Sequence, residues 1–361
     1  MESPSPFISV APDLVQLAAQ IKIWGAEMGF QQLAITDCEV GAHKEWLNQW
    51  LGAGHAGEMD YMDRHRHLRQ QPDELVPGAI RAICVRLDYL PEGIAPGHLL
   101  RQKDRAYISR YALGRDYHKL IRGRLAKLAT KIEQEAGGTH RAFVDSAPVL
   151  ERAFAEKSGM GWIGKNTMLI NRRAGSWFFL GEIYTTLALP IDPPEDGQHC
   201  GSCRACLDIC PTQAFTGPWQ LDARKCISYL TIELKGAIPE HLRPMMGNRV
   251  FGCDDCQLIC PWNKFASHTK EQDFQPRHNL DDRELVDLFE WTEEEFLSRT
   301  AGSPIRRIGH QRWRRNLAVG LGNAPYDIAI IKTLTSALAD ASELEAEHFQ
   351  WAIDQQESKA S

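Results

Sequence analysis

The stretch CGSCRACLDICP, residues 200–211, decides how the rest of the chain is read. Its cysteines, Cys200, Cys203, Cys206 and Cys210, stand in the spacing C-x2-C-x2-C-x3-C and close on Pro211. A tight loop of this kind can wrap three thiolates around one face of a cubane while the fourth leaves on the following helical turn, so the spacing predicts a second half. Cys226 and the string CDDCQLICP supply that half, with Cys253, Cys256, Cys260 and Pro261. A zinc site would use two C-x2-C pairs and four ligands per metal, which explains neither the third cysteine nor the two prolines.

Crossing the ligands as two-cluster ferredoxins do assigns Cys200, Cys203, Cys206 and Cys260 to one 4Fe-4S cluster. Cys210, Cys226, Cys253 and Cys256 then hold the other. The segment between them, CISYLTIELKGAIPEHLRPMMGNRVFGC, is too long for a plain electron carrier and is expected to form part of a substrate site. The two remaining cysteines, Cys38 and Cys84, lie in or beside apolar strands and read as buried spare thiols.

Bulk properties narrow the class further. The chain has 361 residues, 43% of them hydrophobic and 24% charged, with a formal net charge of -6. No apolar run approaches the ~18 residues of a membrane span, so no membrane partner is expected. The opening MESPSPFISVAPDLVQ has no basic n-region, apolar h-region or twin arginine, which points to a cytoplasmic, reducing compartment. The ten cysteines are expected there to be metal ligands or spare thiols rather than disulfides. Mild acidity argues against a general nucleic-acid coat but leaves room for a local basic face.

Working outward from the cysteines, the fold class reads as α+β. PDLVQLAAQIKIWGAEMGF has helical periodicity, QLAITD and AICVRLDYL read as strands, and YHKLIRGRLAKLATKIEQEAGG is a basic amphipathic helix ended by glycines. RAFVDSAP is a strand running into a turn, and TMLINRRAGSWFFLGEIYTTLAL reads as a β-hairpin bent at Arg173 to Gly175. These define an N-terminal α+β domain over residues 1–190. The proline-rich IDPPEDGQHC then links it to a ferredoxin-like two-cluster domain over 191–266. Beyond it, LVDLFEW, TEEEFLSRT and SPIRRIGHQRWRRNLAVGLGNAP suggest a C-terminal α-helical, HEAT-like layer over 267–361.

Three further strings bear on chemistry. GMGWIGKN, residues 159–166, mimics a phosphate loop. Its upstream residues are helical rather than a strand, however, and Asn166 replaces the magnesium-binding hydroxyl, so its glycines are expected to end a helix and lead into a strand. In VDSAPVLERA, Asp145 ends a strand and Ser146 is placed to cap the next helix. This is a good position for catalysis and equally an ordinary turn. SPIRRIGHQRWRR holds Arg306, Arg307, Arg312, Arg314 and Arg315 around Trp313 with no acid. Phosphate contact is one reading, and a solvated helix with Trp313 in the core is the other.

The two-cluster run together with VDSAP, SRYALGRDYH, CISYLTIELKGAIPE, MGNR and CDDCQLICPWN resembles the epoxyqueuosine reductases, relatives of corrinoid reductive dehalogenases. The likeness extends from the first helix to about Asn323. It implies a cobalamin-dependent enzyme that removes the epoxide oxygen of epoxyqueuosine in the tRNA anticodon loop. Two 4Fe-4S clusters would relay electrons from an external low-potential donor, and a monomer is expected. It also implies that Asp145 is the catalytic acid and a cobalamin contact, and that Arg69, Ser109, Leu169, Leu180 and Ser228 touch cobalamin. Lys235 is implied to contact tRNA, and Arg306, Arg307 and Arg312 are read as further RNA contacts.

Asp145 is then expected to need a raised pKa, from burial or neighbours, to give up a proton. No D-x-H-x-x-G motif is present, which fits a cobalamin without a protein histidine below cobalt and leaves His118 as a structural or surface residue. A dehalogenase-like enzyme and a ferredoxin-type carrier are the competing classes.

Overall fold

The computed structural model describes residues 13–360. The string MESPSPFISVAP, on which most of the reading of an absent export signal rests, lies outside the described residues. Among the described residues no helix is long and apolar enough to cross a membrane.

A sheet of four antiparallel strands organises the first half. Across it run Gln32–Asp37, Arg81–Asp88, Phe178–Thr185 and His140–Phe143, in that order. Period-two alternation divides the strand residues between two faces. Ile35, Ile83, Val85 and Ile183 meet the helices Leu14–Glu27 and Tyr117–Ala136 in one apolar cluster. Ala34, Cys84, Phe143 and Tyr184 meet Phe154 and Ala155 of helix Glu151–Lys157 in another. Both faces are covered, which explains why the strands read as near-continuous apolar runs. Gly181 permits the close approach of helix Tyr117–Ala136, since a Cβ there would stand 2.9 Å from Leu125 Cδ1.

The expected hairpin of residues 167–189 does not form. A turn is present, with Asn171 N donating to Gly175 O at 2.7 Å, but the flanking strands part. Leu169–Ile170 pairs with Trp162–Ile163, whereas Phe178–Thr185 inserts between Arg81–Asp88 and His140–Phe143. The register of the central strand is set by burial on both faces, which a local turn cannot outweigh. Ser146 is likewise not a helix cap. Helix Glu151–Lys157 starts after Leu150 without a side-chain cap, and Ser146 lies in the preceding turn, where Ala147 N donates to Val144 O at 2.8 Å.

The C-terminal region from Leu285 is helical, as its periodicity predicts. Leu285–Phe289, Glu293–Arg299, Gly309–Asn323, Ile328–Ala337 and Glu343–Ala360 follow one another. Thr292 and Glu295 form a reciprocal capping box on the second of these. Their apolar faces share one core with Ala106, Ile108 and Leu113 and with Ile227, Leu230, Val250 and Phe251 of the segment between the cysteine motifs. The parallel pairing of Arg249–Phe251 with Tyr107–Ile108 stitches that segment to the first half.

Candidate active site and cluster-binding segment

Asp145 follows the strand His140–Phe143 by two residues and enters a cavity of about 2100 Å3. Pockets for small ligands run to roughly 300–1,000 Å3, so this one has room for a large cofactor and part of a substrate. One Asp145 oxygen accepts from the Tyr117 hydroxyl and the other from His118 Nε2. Both donors come from the first turn of helix Tyr117–Ala136, where Asp116 is the N-cap and also receives His118 Nδ1 at 2.6 Å. Tyr117 is stacked between His118, with centroids 4.3 Å apart, and Phe179, at 3.8 Å. Burial draws the His118 pKa down, but the hydrogen bonds to Asp116 and Asp145 outweigh it and push it up to about 9.

One reading changes here. His118 is a partner of Asp145 in the cavity wall rather than a bystander. Tyr117 and His118 both point donors at Asp145, and His118, raised to about 9, carries a proton at neutral pH. Behind the pair lie Glu151, which lines the cavity, and Glu182, which is fully buried with no hydrogen-bond partner on either oxygen among the described residues. Burial first, then the neighbouring carboxylates, push both well above the usual carboxylate range. Neither glutamate carried a sequence signal, because both sit within apolar-patterned elements.

The other expected contacts are spread more widely. Arg69 lines the cavity and is buried, donating to Tyr61 O at 3.1 Å. Ser109 is buried elsewhere, its Oγ 2.5 Å from Asp254 Oδ1. Leu169 is buried, whereas Leu180 and Ser228 are half-buried. Lys235 is exposed, with its backbone N donating to Glu58 Oε2 at 2.8 Å. Arg306 and Arg307 reach the cavity wall, the latter paired with Glu233 at 2.6 Å. Arg312 instead donates to the carbonyls of Ile308 and Ile232, at 2.8 and 3.0 Å. Trp313 and Arg315 are fully buried.

None of the eight cysteines of the two motifs is in a disulfide among the described residues, and Cys203 alone among them is exposed. Their electrostatic neighbours fall into two sets that meet where Cys206 lies near Cys256. Burial, then Cys200, Cys260 and Cys203, pushes Cys206 up to about 11. Burial also raises Cys256, with Cys226, Cys210 and Cys206 among its neighbours. The short helices Ala205–Asp208 and Asp255–Leu258, one from each motif, pack together. Burial raises Cys206, Cys226, Cys253, Cys256 and Cys260, making them poor thiolates until a cation joins them, and soft sulfur donors at this spacing fit iron–sulfur clusters. Phe251, two residues ahead of Cys253, lines the cavity, so the cysteine-rich segment abuts the acid site.

A cluster-binding segment set against a deep cavity with a carboxylate and an imidazolium in its wall defines an iron–sulfur oxidoreductase. Residues 199–263 match a 4Fe-4S double cluster binding domain, and residues 69–146 match the model described as Epoxyqueuosine reductase QueG, DUF1730. The chain is 60% identical over 343 residues to the epoxyqueuosine reductase of Pseudomonas aeruginosa, covering 95% of each. It is 56% identical over 345 residues to that of Escherichia coli, covering 95% of this chain and 90% of the other. The chain belongs to the epoxyqueuosine reductase family.

Among solved structures, the Streptococcus thermophilus epoxyqueuosine reductase superposes with a TM-score of 0.84 at 25% identity, over 96% of this chain and 91% of that one. An epoxyqueuosine reductase crystallised with an epoxyqueuosine-modified tRNA-Tyr stem loop gives a TM-score of 0.83 at 26% identity, over 96% and 100%.

Proposed function

We propose that this chain is a cytoplasmic enzyme that reduces epoxyqueuosine to queuosine within a tRNA anticodon loop. Cobalamin would occupy the cavity and two 4Fe-4S clusters would lie beside it, reduced by an external low-potential donor. In this reading residues 1–190 hold cobalamin, 191–266 the clusters, and the HEAT-like helices of 267–361 help to carry tRNA. The observation that carries it is the Asp145–His118 pair in the wall of a cavity large enough for cofactor and nucleoside together. Cobalamin, when bound, supplies a strongly reducing cobalt next to the epoxide.

Opening the epoxide to an alkene takes two electrons and two protons and releases the oxygen as water. The residues of this chain deliver one of these protons, and solvent supplies the other. His118 holds one on Nε2, shared with Asp145 Oδ1, and Asp145 can pass it to the departing oxygen. Tyr117 orients the carboxylate by donating to its other oxygen. Arg69, Ser109, Leu169, Leu180 and Ser228 are the proposed cofactor contacts, and Lys235, Arg306, Arg307 and Arg312 the proposed RNA contacts.

The test is nucleoside analysis of tRNA after incubation with anaerobically reconstituted enzyme. We expect Asp145→Asn to lose about 10²-fold or more of turnover while keeping its iron. Turnover equal to wild type in that variant, or a wild-type enzyme indifferent to added cobalamin, would overturn the reading.

A further inference from the structure

The string Gly164-Lys165-Asn166, which fails as a phosphate loop, occupies a position that the acid site does not explain. Lys165 is 9% exposed, and its Nζ donates to Gly201 O at 2.6 Å and to Cys203 O at 2.8 Å. Among the described residues these carbonyls are its partners and no carboxylate pairs with it. A buried ammonium without a counter-charge is costly, so a site that keeps one is arranged to meet negative charge.

The next residue, Asn166, is 2% exposed and donates to Cys256 O at 3.2 Å. Adjacent side chains of one short loop thus grip both cysteine motifs, but the cation is given to only one of them. The other motif carries two aspartates, and its cation, Arg249, is neutralised by the second of them. Asp254 is buried and held at 2.8 Å by the Tyr107 hydroxyl and at 2.9 Å by Arg110 N. Asp255 Oδ2 lies 2.8 Å from Cys253 Sγ and is paired with Arg249 at 2.6 Å.

We propose that Lys165 is the electrostatic partner of the cluster held by Cys200, Cys203, Cys206 and Cys260, and that it sets the reduction potential of that cluster above that of its neighbour. The inference rests on the cluster assignment in the proposed function. A cluster gains one negative charge when it takes up an electron. A fixed cation beside it therefore favours the reduced form, while burial and Asp254, which is held by hydroxyls and a backbone N–H rather than by a cation, oppose reduction of the other. The cluster at the exposed Cys203 then accepts electrons readily, and the one next to the cavity is the stronger reductant.

Potentiometric titration of the reconstituted full chain with dithionite and mediators, read by electron paramagnetic resonance without tRNA or cobalamin, tests this. Wild type is expected to show two midpoints. Lys165→Met and Lys165→Gln should each lower the higher one and leave the lower unchanged. A tenfold loss in that reduction equilibrium corresponds to about 59 mV. Lys165→Arg, which keeps the charge, should hold the wild-type value.

Fully loaded Met and Gln variants with wild-type midpoints would overturn the proposal, as would an Arg variant that shifts with them or loss of iron in all three. An iron count near eight in the wild type separates this outcome from failure of the cluster assignment itself, which would show as zinc or too little iron.

Discussion

At the residue scale, the pairing of His118 with Asp145 is where chemistry and sequence part company. The string GRDYH shows an aspartate and a histidine two apart, and nothing in it says that a carboxylate 27 residues further on will close the arrangement. Helix Tyr117–Ala136 must first lie on the sheet, with Gly181 beneath it, before the imidazole and the strand exit can meet. The raised pKa of His118 gives a direct prediction. Turnover should hold through neutral pH and fall on the alkaline side with a midpoint near 9, as the imidazolium loses its proton. In His118→Gln the rate should drop by about 10²-fold and the alkaline limb should disappear. A limb that persists unchanged in that variant would assign it to another group.

At the scale of elements, the basic run of residues 303–315 shows how composition misleads when a helix is half-buried. Five arginines suggested a phosphate-binding face, but tertiary contacts divide them. Arg314 is paired with Glu345 at 3.2 Å and lies over Phe349. Arg315 donates to the carbonyls of Leu234, Gly236 and Leu230, at 2.8, 2.7 and 2.8 Å. Burial first, then Arg312, draws its pKa down to about 9. This arginine fixes the segment that carries Lys235.

The two roles predict opposite signatures. Replacing Arg306 and Arg307 together by alanine should weaken tRNA binding and flatten its salt dependence, by about 1.4 in the log–log slope for two phosphate contacts. Arg315→Ala should leave carbonyls stranded in the core and cost about 2–4 kcal/mol of stability in denaturant titration. A double variant with unchanged slope would move the RNA contacts off this element.

At the scale of the whole molecule, two histidines bound the pH range of stability from opposite sides. His348 is fully buried between helix Glu343–Ala360 and Ile238, accepting from Ile238 N at 3.1 Å while its Nδ1 donates to Leu344 O at 2.7 Å. Burial draws it down to about 4 from an ordinary 6.5. The unfolded chain therefore binds this proton first as pH falls, so the contribution is whole above pH 6.5 and is lost on the way down to about 4. His118, raised to about 9, acts in reverse: its contribution is whole below 6.5 and is lost as pH climbs through 9. Thermal melting should be highest near neutral pH and fall on both sides. His348→Gln should flatten the acid side between pH 6.5 and 4, and a slope there identical to wild type would show that other groups govern it.

How much of this was legible depends on the range of the interactions. Thiolate spacing and helix periodicity are local patterns, complete within a few residues, and they led to the iron–sulfur segment and to the helical C-terminal region. The spread of one core across residues 106–113, 227–251 and the last helices, the parting of the expected hairpin, the His118–Asp145 contact and the burial of Lys165 against the Cys203 loop all join residues remote along the chain. Such contacts form only when burial of whole faces fixes how the elements dock. The chemistry available to this protein was therefore written in its spacings, whereas the positions of its protons and buried charges were decided by packing.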